Sequence, residues 1–222
     1  KGLTMAYLPQ DPPAPAGKTV DDAINDAFSH MREIEREIHE ITARLDRYDA
    51  AELKRLGELQ TQFEALGGYD HESRVERVLA GLSFPAELRG RYLNELSGGQ
   101  RTRACLASLL LKNPDVLMLD EPTNHLDISA TQWLEGWLKS YAGVLVVVSH
   151  DRYFLDSVTN STWEVARGGV ETYRGSYSEF IPKRKQRYEE RMRTWQQQQD
   201  YIAETRDFIA RHIAGQRTKE AQ

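Results

Sequence analysis

Cysteine is almost missing. Cys105 stands alone among 222 residues, which excludes a disulfide framework and any cysteine-based zinc site and suits a reducing cytoplasm. No apolar run reaches the roughly 18 residues that a membrane-spanning helix needs, so no membrane partner is expected. The chain opens on Lys1-Gly2-Leu3, and neither an initiator Met nor a signal peptide is expected in this stretch. Nor is there an excess of positive charge. The net charge of −5 argues against indiscriminate nucleic-acid binding. What is present is enough apolar residue for a core, 40%, beside 28% charged residues, the balance of one or two domains with much exposed helix.

The charge is unevenly spread. Residues 21–80 carry 15 acidic and 8 basic side chains, a net of −7, whereas residues 182–222 carry 6 acidic and 10 basic, a net of +4. Ahead of the acidic stretch, residues 3–9 read as a strand reaching Gln10, followed by a Pro-rich segment from Asp11 to Gly17. Within the acidic stretch Met31, Ile34, Ile38, Ile41, Leu45 and Tyr48 are spaced 3, 4, 3, 4, 3, the seam of a coiled-coil helix. Leu53, Leu56, Leu59, Phe63 and Leu66 form a second stripe, with a break near Asp46 to Ala50 and a stop at Gly67-Gly68. An antiparallel helical hairpin buries two such stripes against each other. These apolar positions serve packing, so any function of the hairpin belongs to its tip.

Two apolar runs, Val116 to Leu119 ending at Asp120 and Val144 to Val148 ending at Ser149-His150, have the unbroken character of strands buried on both faces of a parallel sheet. Residues 129–141 between them read as a helix, which gives a βαβ unit. Asn160 to Ala166 and Val170 to Tyr173, joined by Gly168-Gly169, read as a hairpin. After Ser176 the pattern is polar and helical to about Gly215, with a run of four glutamines from Gln196 and little apolar periodicity. That suggests a solvated linker helix.

Two short elements carry chemistry. Ser97-Gly98-Gly99-Gln100 precedes an apolar helix over residues 101–112. Ser97 is a good N-cap, glycines let a backbone approach a ligand, and a helix N-terminus attracts anions. Alone, such a turn is usually only a cap. Asp120-Glu121 stands at the C-terminal end of a buried strand, where α/β sheets bind ligands. An Asp there can hold Mg²⁺ through water, and a following Glu can take a proton from an attacking water. Gly17-Lys18-Thr19 imitates the end of a phosphate-binding loop, but Pro12 occupies its first glycine position, the segment is Pro-rich, and no helix is expected to open at Lys18. His30, His39, His71 and His212 lack ligand spacing, and Cys105 reads as a small packing residue.

Leu96 to Gln100 matches the signature of the ABC ATPase superfamily. Val116 to Glu121 resembles its Walker B strand, Ala6 to Gln10 its Q-loop, Leu126-Asp127 its D-loop and Ser149-His150 its H-loop, all in order. The wording Asp120-Glu121-Pro122-Thr123-Asn124-His125-Leu126-Asp127, then Ser149 to Asp156, then Tyr173 to Ser178, resembles the ABC-F family, twin-cassette ATPases that act on ribosomes. The fold so implied is an α/β, P-loop NTPase-like ABC ATPase cassette lacking its Walker A portion, with an inserted antiparallel helical hairpin and a C-terminal linker helix. Residues 1–20 would close the Q-loop end of the core. Residues 21–80 would hold the hairpin, called the arm in that family, and the start of the helical subdomain. Residues 81–175 would carry signature, Walker B, D-loop and H-loop, and residues 176–222 the interdomain linker. The Walker A loop and a second cassette are expected in a longer polypeptide.

The resemblance implies ATP and Mg²⁺. Gln10 would sense Mg²⁺ and the γ-phosphate, Asp120 would hold the metal through water, Glu121 would polarise the attacking water, and His150 would contact the γ-phosphate. Ser97, Gly98, Gly99 and Gln100 would serve the nucleotide of the other cassette, with Asp127 at that interface. The expected partners are a second cassette and the ribosome near its E site: large subunit, P-site tRNA, and a basic ribosomal protein at the acidic arm. Lys183, Arg184, Lys185, Arg187, Arg191 and Arg193, with Tyr188 and Trp195 interleaved, are candidate RNA contacts, since cations bind phosphate and aromatics stack on bases. Without the resemblance they read as a solvated helix face. A transporter ATPase subunit and an interaction module without activity of its own are the rival readings.

Overall fold

The structure, a computed structural model, describes residues 2–44, 50–166 and 168–220, with the backbone alone at Tyr69 and at 212–220. These divide into two compact units, residues 1–158 and 159–222.

The first unit is built on three parallel strands, β1 (Met5–Leu8), β2 (Val116–Asp120) and β3 (Val144–Val148), in that order across the sheet. Register pairs Leu8 with Leu119, and Asp120 with Val148. The three C-terminal ends therefore finish level. Strand alternation turns Leu8, Leu117 and Leu119 into the core, where all three are buried. The other face carries Met5, Tyr7, Val144 and Val148, each more than half exposed. The expectation of a strand buried on both faces thus fails at β3, which shares this open face with β1, because the described helices cover only one side.

Helix α1 (Val20–Asp26) opens on a reciprocal capping box between Thr19 and Asp22. Helices α2 (Ser29–Ala43) and α3 (Ala50–Ala65) pack together. Arg55 grips Glu37 through two hydrogen bonds of 2.9 and 3.1 Å. Met31, Ile34, Ile41, Leu59 and Phe63 of the two expected stripes are buried. Leu53 and Leu66 are not: Leu53 lies in the first turn of α3, and Leu66 follows the last turn. Leu45, Tyr48 and the expected break lie outside the described residues. Gly67 at φ +70° ends the segment, as its sequence suggests.

Helix α4 (His71–Gly81) then packs on α5 (Gly98–Lys112) and α6 (Ile128–Lys139). From α5, Leu106, Ala107, Leu110 and Leu111 enter the core beside Leu134 and Leu138 of α6. The Ser108 hydroxyl ties α5 to α1 by donating to the Ala23 carbonyl at 2.7 Å. The short α7 (Arg152–Val158) follows β3 and is anchored by fully buried Phe154.

The second unit is an antiparallel hairpin, β4 (Ser161–Ala166) and β5 (Gly169–Arg174), followed by one long helix, α8 (Tyr177–Glu220). At 1.5 Å per residue α8 is about 65 Å long. Its apolar residues have a period the sequence reading missed: Ile181, Tyr188, Trp195, Ile202 and Ile209 recur every seventh residue, all at least two-fifths exposed. No helix among the described residues is long and apolar enough to cross a membrane.

Candidate active site

At the level ends of the sheet the backbone turns sharply. Glu121 continues the ladder for one bond, donating its N–H to Val148 O at 2.8 Å, then takes φ +49°. A left-handed glutamate costs roughly 1 kcal/mol, and such residues persist where their surroundings hold them. The surroundings here are specific. The Glu121 side chain is 8% exposed. One carboxylate oxygen accepts the His150 backbone N–H at 3.2 Å, and the other lies 3.4 Å from His150 Nε2. A buried carboxylate without such partners would be costly. The imidazole itself is 99% exposed, so this pair joins a buried acid to open solvent.

His150 is held from behind. The Ser149 hydroxyl accepts the Asp151 N–H at 3.0 Å, and the Asp151 carboxylate accepts the Phe154 N–H at 3.1 Å, so α7 starts two residues after the histidine. Asp120 ends β2 half-buried, and the Tyr7 hydroxyl donates to its carboxylate from the neighbouring strand at 3.4 Å. Gln10 is exposed just beyond β1. Gln10, Asp120, Glu121 and His150 therefore all lie at or just beyond the C-terminal ends of adjacent strands.

The Ser97 turn has its own local work. Ser97 and Gln100 form a capping box on α5: the Ser97 hydroxyl accepts the Gln100 N–H at 3.3 Å, and the Gln100 side chain accepts the Ser97 N–H at 3.0 Å. Gly98 faces open space, but a Cβ at Gly99 would lie 2.8 Å from the Cβ of His125. Gly99 is thus required by packing within the chain. His125 sits at φ +68° in the loop between β2 and α6, whose N-cap is Asp127, accepting the Ala130 N–H at 2.7 Å. Among the described residues no hydrogen bond joins Ser97, Gly98, Gly99 or Gln100 to Asp120, Glu121 or His150.

Gly17-Lys18-Thr19 departs from expectation in one respect, because a helix does open beside it. Thr19 is the N-cap of α1, and Lys18 is bound to Asp26 at 2.6 Å. A lysine ahead of the cap, already paired, is not aimed at a phosphate from the helix N-terminus.

In the second unit the cations divide. Arg184 Nε meets Glu164 at 2.6 Å, and Glu171 receives Arg187 at 3.7 Å and also Arg191. Lys183 donates to the Arg174 carbonyl at 2.6 Å and to Glu179 at 3.3 Å. Lys185 and Arg193 have no carboxylate partner among the described residues. Tyr188 and Trp195 are half exposed and lie on one helix face, seven residues apart. Sequence reasoning named His125 only as part of a motif, without a role, and gave Tyr7, Glu164 and Glu171 none. The alternation around Trp163 and Thr172 could have flagged the two glutamates, since it turns both to the same face of the hairpin.

Comparison with known proteins bears on the whole arrangement. The ABC transporter family profile matches residues 2–124, and a second profile of that description matches residues 163–222. YdiF of Bacillus subtilis (strain 168), an ATP-binding protein by name, is 45% identical over 171 residues, 77% of this chain and 27% of its own. The energy-dependent translational throttle protein EttA of Haemophilus influenzae (strain ATCC 51907 / DSM 11121 / KW20 / Rd) is 34% identical over 222 residues, 98% of this chain and 39% of its own. ABC transporter F family member 2 of Arabidopsis thaliana is 32% identical over 220 residues, 96% and 32%. The chain thus spans about a third of the length of these relatives. Its fold is similar to that of an ATP binding subunit of an ABC transporter, with a TM-score of 0.54 at 16% identity over 81% of this chain and 62% of that one. It is also similar to RNase-L Inhibitor, with a TM-score of 0.52 at 21% identity over 82% and 30%. The ordered strand ends and the profile match over more than half its length say the same thing: this chain belongs to the ABC transporter family, as an α/β ATPase cassette of P-loop NTPase-like fold.

Proposed function

We propose that this chain is part of an ABC-F ATPase, a cytoplasmic translation factor that binds the ribosome near its E site, contacts P-site tRNA, and leaves when ATP is hydrolysed. The observation that carries the catalytic half is the buried Glu121 carboxylate, held by the His150 backbone N–H with the imidazole 3.4 Å away, one residue beyond Asp120. A carboxylate so fixed is oriented to accept a proton from an attacking water, while the exposed imidazole contacts a terminal phosphate. Asp120 and Gln10 offer oxygen donors to a hard divalent cation. Such a pair suits Mg²⁺, an ion that keeps waters and phosphate oxygens among its ligands. When bound, Mg²⁺ supplies charge neutralisation at the β- and γ-phosphates. Ser97, Gly98, Gly99 and Gln100 present an α-helix N-terminus to the nucleotide of a second cassette, with Asp127 at the contact between cassettes.

The ribosomal half is supported by the span of one relative. The translational throttle protein matches 98% of this chain, so the match extends over the acidic hairpin and α8 as well as the ATPase motifs. On this reading α2 and α3 are the arm, meeting a basic ribosomal protein, and α8 is the linker against RNA. The test is turnover by the full-length protein. Glu121→Gln keeps the side-chain shape but removes the proton acceptor, and loss of a general base costs about 10²–10⁴-fold in rate. ATP binding should persist. Turnover within threefold of wild type would remove Glu121 from the chemistry.

A further inference from the structure

The cross-strand register of the second unit sets Glu164 directly opposite Glu171. Two carboxylates facing each other on a hairpin repel, so their position calls for counter-charge. The counter-charge comes from one face of α8. Arg184, Arg187 and Arg191 recur at helical spacing, Arg184 on Glu164 and the other two on Glu171. Tyr173, buried beneath them, donates its hydroxyl to Glu171 at 2.9 Å and lies 3.4 Å from Glu164, while the Arg187 guanidinium stacks over its ring at 4.3 Å. The asymmetry of exposure is informative. Glu164 and Glu171 are 18% and 28% exposed, whereas the three arginines are 56%, 47% and 45% exposed. The acids are sunk in the hairpin face, and the arginines keep half their surface toward solvent.

We propose that Glu164 and Glu171 are an internal stand-in for phosphate, holding Arg184, Arg187 and Arg191 so that α8 engages an RNA backbone only in competition with its own hairpin. The inference rests on α8 as an RNA-contacting helix for its biological partner, and it changes which residues meet that partner first. Lys185 and Arg193, with Tyr188 and Trp195, are available at once. The three clamped arginines add to the contact only when phosphates displace the carboxylates. Half-exposed ion pairs are weak, each worth at most about a fivefold factor, so displacement is within reach of a polyanion. The clamp also fixes the direction in which α8 leaves the hairpin, since it spans about two turns.

The test uses a fluorescein-labelled oligouridylate and the 222-residue chain, with affinity measured from low to physiological salt. Glu164→Gln/Glu171→Gln releases three arginines. Affinity at low salt should rise about 5- to 50-fold, and the slope of log affinity against log salt should steepen by about 2, at roughly 0.7 per added contact on a single strand. Adding Arg184→Gln, Arg187→Gln and Arg191→Gln to that background should erase the gain. Glu189→Gln/Glu190→Gln, which removes the same charge from α8 rather than from the hairpin, should leave the slope unchanged. Should the double variant lose helicity by far-ultraviolet circular dichroism, Glu171→Gln alone decides, with a slope change about two-thirds as large. An affinity and slope no greater than wild type in a folded variant overturn the proposal, as does an equal gain from the charge-matched control. A gain on oligouridylate without any gain on ribosomes, measured with the full-length protein, leaves the clamp standing and removes the ribosomal reading of α8.

Discussion

Gly99 stands where two explanations meet, a backbone that must approach a nucleotide and a backbone that must make room for His125. A double-mutant cycle separates them. Building a Cβ at Gly99 puts it 2.8 Å from His125 Cβ and 3.1 Å from Cγ, well inside the roughly 3.5–4.0 Å at which carbon atoms rest. Overpacking of this kind costs about 1–3 kcal/mol. Against it stands the helix preference of alanine over glycine, up to about 1 kcal/mol. Gly99→Ala should therefore destabilise the chain by up to about 2 kcal/mol. His125→Gly removes the three atoms nearest the new Cβ and suits the left-handed backbone at φ +68°. In that background the clash is gone, and Gly99→Ala should become neutral or stabilising. The coupling between the two sites is thus about 1–3 kcal/mol with a change of sign, measurable by denaturant unfolding of the four variants. Equal effects of Gly99→Ala with and without His125 would refute the packing account and leave ligand approach as the reason for the glycine.

Other consequences concern the core, the thiol and acid. Leu117→Ala empties a fully buried site at the centre of the sheet and should cost about 2–5 kcal/mol in denaturant unfolding; a loss under 1 kcal/mol would contradict its placement. Burial pushes the Cys105 thiol above its ordinary range, against smaller opposing effects of Arg101 and Lys112, so iodoacetamide at neutral pH should label it slowly unless denaturant is added. Hydrogen bonds from Arg191 and then Tyr173 hold Glu171 below the ordinary carboxylate range, and the Thr4 N–H and hydroxyl do the same for Asp115. Groups depressed in the folded state stabilise it fully above the unfolded carboxylate range and lose that contribution as pH falls through their folded values. The thermal midpoint should be flat above about pH 5 and fall toward pH 3; a midpoint that holds or rises there would refute the assignment.

How much of this was legible in the sequence differs by element. Motifs whose chemistry is local were readable. Ser97 does cap α5, the carboxylates do end a parallel strand, and Gly67 does stop a helix, because each depends on a few neighbouring residues. The buried half of the hairpin seam was readable for the same reason, since period alone fixes a helix face. Its exposed start at Leu53 was not, because burial there depends on what else is near. The open face of β3 was misjudged: an apolar run states what a strand can bury, and only the tertiary arrangement states what covers it. The seven-residue repeat of α8 was overlooked among its glutamines and charges. The clamp on Glu164 and Glu171 needs a register and a helix face together, across residues 20 apart, so the arginines read as free cations when most are paired. The placement of Tyr7 on Asp120 likewise needs strand order, which no local pattern contains.

The central claim is that Glu121 drives a chemical step whose completion releases the protein from the ribosome. The most direct measurement is ribosome occupancy of full-length wild type and Glu121→Gln by pelleting, in ATP and in ADP. With proton transfer blocked and binding intact, Glu121→Gln should accumulate on ribosomes in ATP, several-fold above wild type, and return to the wild-type level in ADP. Equal occupancy of the two proteins in ATP, with ATP binding verified, would contradict the account.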